Sequence, residues 1–234
     1  MELGKDRIDV ALLEKYSFYD YKHAIDILEG SYRAYWEEIQ ESLRKFEMSI
    51  DDMRILGGNK SPIPKKFDEE LFPNDWEETR ITGKLEVQME ARTKRKGKFR
   101  KQEPRPFENY IDGHNIDFVK GGVAFDIEWN SKDQTFDRDL LAMRTYYECD
   151  LIDVGIILTR EEELDDIFNT LYYKNNKGQT VSLIKKYGKS TTHMGKLKPR
   201  LSGRRNGGCP ILAIGIKKKC VVDWDNEYID PLKK

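Results

Sequence analysis

Asn115-Ile116-Asp117-Phe118-Val119-Lys120-Gly121-Gly122-Val123-Ala124-Phe125-Asp126-Ile127-Glu128-Trp129-Asn130 is the stretch on which the reading of this chain turns. A six-residue run reaches Gly121-Gly122, a dipeptide that readily supplies the positive φ of a two-residue turn, and a second run leaves it. The spacing predicts a β-hairpin. Its second arm alternates, with Val123, Phe125, Ile127 and Trp129 on one face and Ala124, Asp126, Glu128 and Asn130 on the other. Asp117 on the first arm and Glu128 on the second then converge, with Asn130 two residues beyond Glu128 on the same face of the pleat.

Working outward, Phe136, Leu140, Met143 and Tyr147 mark a helix, Val154 to Leu158 a buried strand, and Glu161 to about Tyr173 another helix. Pro210 to Ile216 reads as a further strand. Upstream, Lys84 to Ala91 alternates strictly and predicts a half-buried strand, and residues 56–66 predict a loop. Before that, Tyr32, Tyr35, Trp36, Ile39, Leu43 and Phe46 recur at helical spacing behind Ser31 as cap. The Glu37, Glu38 and Glu41 face of that helix is expected to be solvated, with one of the three a candidate for a metal site. Residues 174–205 are expected to be loop-rich and basic, and the last ten residues a tail. Strands alternating with helices imply an α/β core around a mixed sheet. With no repeat and no low-complexity linker, 234 residues are expected to form a single domain, 1–234.

Composition narrows the function classes. Hydrophobic residues make up 38% of the chain, enough with its aromatics to build a core, and no run approaches the roughly 20 apolar residues of a bilayer span. Met1 to Val10 lacks the apolar segment of a secretory signal, so a cytoplasmic protein with no membrane partner is expected. Cys149, Cys209 and Cys220 with three histidines offer neither a disulfide framework nor zinc-ligand spacing.

The formal net charge of −1 hides segregation. Residues 92–105 hold 8 basic and 1 acidic side chains, 106–166 hold 5 and 16, and 167–222 hold 13 and none. Such blocks present a positive field to an anionic partner, and nucleic acid is the natural candidate. In the first block, Arg92, Lys94, Arg95, Lys96, Lys98, Arg100, Lys101 and Arg105 enclose one aromatic, Phe99, a composition suited to phosphate contact more than base stacking.

Two carboxylates on one face of a hairpin suit a hard divalent cation, which takes oxygen ligands and would bring a substrate phosphate with it. The pattern is not unique. Asp75 with Glu86-Val87-Gln88 has the same character, and Asp126 competes for the metal.

The segment Ile116-Asp117-Phe118, then Phe125-Asp126-Ile127-Glu128-Trp129-Asn130 and Asp137-Arg138-Asp139-Leu140, resembles the active-site region of type II restriction endonucleases of the BglII and BstYI type, within the PD-(D/E)xK nuclease superfamily. Further stretches are similar: Tyr21-Lys22-His23-Ala24, Trp36-Glu37-Glu38-Ile39, Glu70-Leu71-Phe72-Pro73, Ser190-Thr191-Thr192-His193-Met194-Gly195-Lys196-Leu197 and Asn206-Gly207-Gly208-Cys209-Pro210.

The resemblance implies a restriction-endonuclease-like fold, a central mixed β-sheet flanked by helices. It implies a Mg²⁺-dependent enzyme that hydrolyses double-stranded DNA within a short palindrome and leaves 5′-phosphates. Asp117 and Glu128 would be metal ligands, with the Trp129 backbone carbonyl a third. Asn130 would stand where most of the superfamily has lysine; an amide can orient a water but cannot act as a base near neutral pH. A palindromic site suits a homodimer, and a cognate DNA methyltransferase completes such a system. Lys94, Arg95, Lys96, Lys98, Lys120, Lys132, Asp133, Arg138, His193, Lys196, Lys198, Arg200, Arg204 and Arg205, with His114 and Arg144, are the candidates for DNA contact. A structure-specific or repair nuclease of the same fold, or a DNA-binding protein that has lost its chemistry, remain the alternatives.

Overall fold

The computed structural model describes residues 8–56, 61–113 and 115–233; His114 and the glycines of 57–60 lie outside the described residues. The strands are β1 (Tyr16–Tyr21), β2 (Glu77–Arg80), β3 (Gly83–Val87), β4 (Glu90–Ala91), β5 (Arg100–Lys101), β6 (Arg105–Ile111), β7 (Asn115–Lys120), β8 (Val123–Ile127), β9 (Val154–Arg160), β10 (Tyr172–Lys174), β11 (Thr180–Ser182) and β12 (Ile211–Ile216). The helices are α1 (Val10–Lys15), α2 (Ala24–Ser31), α3 (Arg33–Lys45), α4 (Ile50–Arg54), α5 (Pro62–Leu71), α6 (Thr135–Glu148), α7 (Leu164–Thr170) and α8 (Met194–Ser202).

Six strands form one mixed sheet in the order β1-β12-β9-β8-β7-β2, with β12, β9 and β8 parallel and the other neighbours antiparallel. The predicted hairpin is β7–β8, joined through Gly121-Gly122. Gly121 sits at φ +55°, which disfavours ordinary side chains, and a Cβ at Gly122 would press on the Tyr32 hydroxyl and the Asp153 carboxylate and force them to shift.

The hairpin differs from expectation in one respect that matters for the site. All five residues of β8 are buried, because β9 covers its far edge and helices cover both faces. Alternation therefore sorts two cores rather than core from solvent. Val123, Phe125 and Ile127 join Val154, Ile156, Leu158, Leu212 and Ile214 beneath α2, α3, α5 and α7, whereas Ala124 joins Ile157, Ile211 and Ala213 beneath α6 and α8. Asp126 follows the Ala124 parity and is carried into the α6 side.

Other elements also depart from the sequence reading. The 56–66 loop is cut short by α5, which Ser61 caps and Pro62 opens, where a missing N–H costs nothing. Helix α8 occupies the region expected to be loop, despite Pro199 within it, and β10–β11 form a small hairpin there. β1, unanticipated, closes the sheet edge. Ser31 ends α2, and Tyr32 caps α3. α7 begins and ends inside the predicted span.

The Lys84–Ala91 strand is interrupted at 88–89: up to Val87 it keeps the expected alternation, with Leu85 and Val87 partly buried and Lys84 and Glu86 exposed, whereas 88–91 are exposed on both faces. β3 pairs with β6 and β4 with β5, building a two-stranded arm whose residues are largely exposed. Its turn, 92–99, carries the first basic block, so the predicted basic loop is the tip of a hairpin. The expected tail is tied down, since buried Asp230 pairs with Arg54 at 2.7 Å; just before it, the Asp223 carboxylate accepts from the Ile50 amide at 2.8 Å. Among the described residues no helix is long and apolar enough to cross a membrane.

Candidate active site

β7 and β8 pair from Phe118/Phe125 to Lys120/Val123 and then part at Asp117. Side chains take over the pairing at this point. The Asp117 carboxylate accepts the Ile127 amide at 3.1 Å, and the Asp126 carboxylate accepts the Asp117 amide at 3.4 Å. Beyond Ile127 the chain leaves the strand. The Glu128 amide donates to the Leu158 carbonyl at 2.9 Å, which keeps Glu128 docked against β9, and the residue is 5% exposed.

Asp112, Gly113, Asn115, Asp117, Asp126, Ile127, Glu128 and Arg138 line one cleft of about 490 Å³. Asp117 and Glu128, separated by ten residues and a turn, are thus brought together. Asp126 and Glu128 join Asp139, from the buried face of α6, in a group whose carboxylate oxygens lie within 4.8 Å of one another. Thr135 donates to Glu128 at 3.1 Å, and Arg138 bonds Asp139 at 3.1 Å while standing 3.7 Å from Glu128.

Like charges held together out of water resist ionisation. Burial pushes the Asp139 carboxyl up to about 8, with the charge of Glu128 adding to it. Burial, then Asp139, Asp117 and Glu128, hold the Asp126 carboxyl well above the carboxylate range. A hard divalent cation among these oxygens would relieve both effects, so the donor set fits one.

Asp139 is the site residue that sequence reasoning did not single out. Its signal was present: an acid three residues from Phe136 and four from Met143, within the apolar stripe of a helix.

Asn130 does not continue the strand. It takes φ +60°, so turn geometry places it, not the pleat, and its Oδ1 is shielded from solvent with no protein donor. Trp129 anchors this turn through its ring, 6% exposed and edge-on to Tyr187 at 5.7 Å between centroids.

The family model for the restriction endonucleases BglII/BglIII matches residues 16–216 of the 234. The chain belongs to this restriction endonuclease family. No individually curated protein matches it. Enzymes of this family cut double-stranded DNA and use a divalent metal, and the mixed sheet flanked by helices fits the family's fold.

In this endonuclease the candidate DNA-contact residues fall into distinct places. Lys94, Arg95, Lys96 and Lys98 are exposed on the tip of the arm, whose β6 strand runs down to Asp112 and Gly113 at the cleft. Lys132 is exposed beside Ser190, and Arg138 projects at the cleft with its side chain 64% exposed. Asp133 faces Lys196 at 3.8 Å and Arg200 at 3.9 Å. Arg200 and Arg205 both bond Asp137, and Arg204 is exposed. Lys198 faces Glu161 at 3.8 Å, and Arg144 bonds Glu148.

Two candidates are turned inward. Lys120 donates to both Glu38 oxygens at 2.8 Å and to the Asn74 carbonyl at 2.7 Å, which uses its ammonium within the fold. Glu38, which also accepts from the Trp76 indole, is therefore partly buried and paired and does not line the cleft, whereas Glu37 and Glu41 are exposed as expected. His193 is 7% exposed, and burial with the nearby Arg160 charge lowers its pKa. The second basic block likewise spreads over several elements. Lys186 donates to Met53 and Ile55 carbonyls, and Lys218 bonds Asp166. Glu86 lies on the exposed arm and Asp75 in the turn after α5, and neither lines the cleft.

Proposed function

We propose that this protein is a Mg²⁺-dependent type II restriction endonuclease, cutting both strands of DNA within a short palindrome and leaving 5′-phosphates. The observation that carries this reading is the shared cleft of Asp117 and Glu128, where β7 and β8 part, in a chain of this family.

Asp117 and Glu128, with the Trp129 carbonyl, would hold the cation, and Asp126 and Asp139, whose carboxylate oxygens lie within 4.8 Å of that of Glu128, would add donor oxygens on the same side once the ion's charge favours their ionised forms. Bound there, a divalent ion supplies Lewis acidity toward the phosphorus centre and lowers the pKa of water. The chain's own groups do the rest. Arg138, at the cleft and only partly neutralised by Asp139, is placed to bind a non-bridging phosphate oxygen. The Asn130 amide orients the attacking water without taking its proton. Exposed Lys94, Arg95, Lys96 and Lys98 on the arm, with Lys132, Lys196, Lys198, Arg200, Arg204 and Arg205, supply phosphate contacts, and Asp133 accepts from base edges. A homodimer places one such cleft on each strand of a two-fold site, and a methyltransferase of matching specificity protects the host DNA.

The test is digestion of a sequenced plasmid and of a branched duplex with the protein and Mg²⁺. Discrete plasmid fragments with ligatable 5′-phosphate ends support the reading. Cutting confined to the junction assigns the fold to a structure-specific nuclease, and binding without cutting to a DNA-binding protein.

A further inference from the structure

After the bond of the Glu128 amide to Leu158, the turn that carries Glu128, Trp129 and Asn130 leaves the sheet, and another segment packs against it. Residues 188–193 form that segment. The Thr192 amide donates to the Ser131 carbonyl at 2.9 Å, the Asp133 amide donates to the Ser190 carbonyl at 2.9 Å, and Lys132 and Thr191 form an antiparallel bridge. Thr192 adds a contact of another kind. Its hydroxyl, fully buried, donates to the carbonyl of Glu128 at 3.2 Å and so fixes the plane of the Glu128–Trp129 peptide.

The clamp is itself braced from the core. Arg160, at the end of β9 and 0% exposed, donates to the Tyr187 carbonyl at 3.3 Å and to the Thr191 hydroxyl at 3.2 Å, and it pairs with Asp165 at 2.7 Å. Thr191 in turn donates to the Gly188 carbonyl at 2.8 Å. Immediately after His193 the chain enters α8, whose Lys196 and Arg200 face Asp133 on the far side of the same turn. The turn bearing Glu128 is thus joined on both sides to the basic helix.

We propose that Thr192 is a positioning residue for the reaction: its hydroxyl sets the peptide that follows Glu128 and couples that peptide to the 188–193 segment and basic α8. The proposal rests on the assignment of Glu128 to the chemistry made above. This peptide joins the Cα that carries the Glu128 carboxylate to the Cα that precedes the Trp129 carbonyl, so a displacement of it would disturb the placement of both, and the hydroxyl acts on the rate of the chemical step and not on the affinity for DNA.

The test compares Thr192→Val, Thr192→Ala and Thr192→Ser with the wild-type protein on plasmid DNA. Valine keeps the volume and deletes the hydroxyl, alanine deletes it without risk of overpacking, and serine restores it. Single-turnover cleavage by the valine and alanine variants is expected to fall about 10- to 100-fold, with the dissociation constant for the same DNA without divalent ions changed less than about twofold. Serine is expected to recover most of the rate. A wild-type rate in the valine variant would overturn the proposal, as would a serine variant as slow as valine, or a loss of rate that follows a loss of DNA binding. Absence of a cooperative unfolding transition in both valine and alanine variants would make Thr192 a folding residue and also overturn it. Glu128→Ala, run alongside, separates this failure from that of the site: full cleavage by that variant removes the site assignment itself.

Discussion

The Asp117 carboxylate accepts the backbone amide of Ile127 across the point where their strands part. One oxygen of the acid therefore replaces a ladder carbonyl, and the group is oriented by backbone geometry. The next residue is Glu128, so this hydrogen bond, with that of the Asp117 amide to Asp126, helps hold the two acids of the cleft relative to each other. Asp117→Asn keeps an acceptor oxygen for Ile127 while deleting the charge. Its folding is expected to be intact and its Mg²⁺-supported cleavage lower by roughly a thousandfold, equivalent to several kcal/mol of transition-state stabilisation. Steady-state cleavage with a parallel thermal unfolding curve checks both halves of this expectation.

Asp126 accepts the Asp117 amide and lies among the like charges of Asp139, Asp117 and Glu128. Asp126→Asn retains the acceptor and removes one buried acid from the cluster. Without divalent ions this variant is expected to be more stable than wild type by about 1 kcal/mol, or about 2–4 °C in Tm for a chain of this size. The order should reverse or close up at millimolar Mg²⁺, because the ion stabilises only the chain that binds it well. Calorimetry with and without EDTA reads the difference, and a less stable variant in EDTA would show that Asp126 is satisfied within the fold.

Asp230 has a side chain fully withdrawn from solvent, where it accepts from Arg54 at 2.7 Å and from the Tyr172 amide at 2.6 Å. Deleting it leaves the Tyr172 and Leu232 amides without their acceptor, and leaves the Arg54 guanidinium with Asp51, an exposed carboxylate 3.3 Å away, and the Tyr172 carbonyl. Asp230→Ala is expected to destabilise the protein by about 3–5 kcal/mol in urea unfolding, with no residue of the cleft touched. A loss below about 1 kcal/mol, the range of surface ion pairs, would return the last ten residues to the status of a tail.

Replacing Lys94, Arg95 and Lys96 together with alanine removes exposed charge from the arm and leaves the cleft intact. DNA binding should weaken uniformly across sequences, and the slope of log K against log salt should become shallower by up to about 2.7. Filter binding between low and physiological salt measures it. An unchanged slope would mean that the arm tip does not reach phosphate.

How much of this was legible in the sequence follows from the range over which each feature is encoded. The β7–β8 hairpin could be read because Gly121-Gly122 and the flanking alternation are local, and β9 because a short apolar run admits few other fates. The same alternation misled on exposure. Whether the face of Asp126 meets water or α6 depends on what the chain does ten to thirty residues later. Helix α8 was hidden by Gly195 and Pro199, whose propensities are overridden by the packing of Met194, Leu197 and Leu201 on the sheet. In the site, Asp117 and Glu128 were legible as a pair. Asp139 carries only a weak local signal, an acid within the apolar stripe of a helix, and its role shows only once α6 packs against β8. The inward turn of Lys120 toward Glu38, 82 residues away, and the seating of Thr192 on Glu128, 64 residues away, have no local signature.

The most direct test of the central claim is the cleavage of a sequenced plasmid by the wild-type protein and by Glu128→Gln, side by side, in Mg²⁺ and in EDTA. The glutamine variant keeps the shape and the hydrogen-bonding oxygen of Glu128 but not its charge. The wild type in Mg²⁺ is expected to give a fixed set of fragments, and the variant and both EDTA reactions none, while both proteins bind the plasmid. Equal cleavage by the two proteins, or cleavage undiminished by EDTA, would contradict the assignment of the Asp117–Glu128 cleft as the metal-dependent active site.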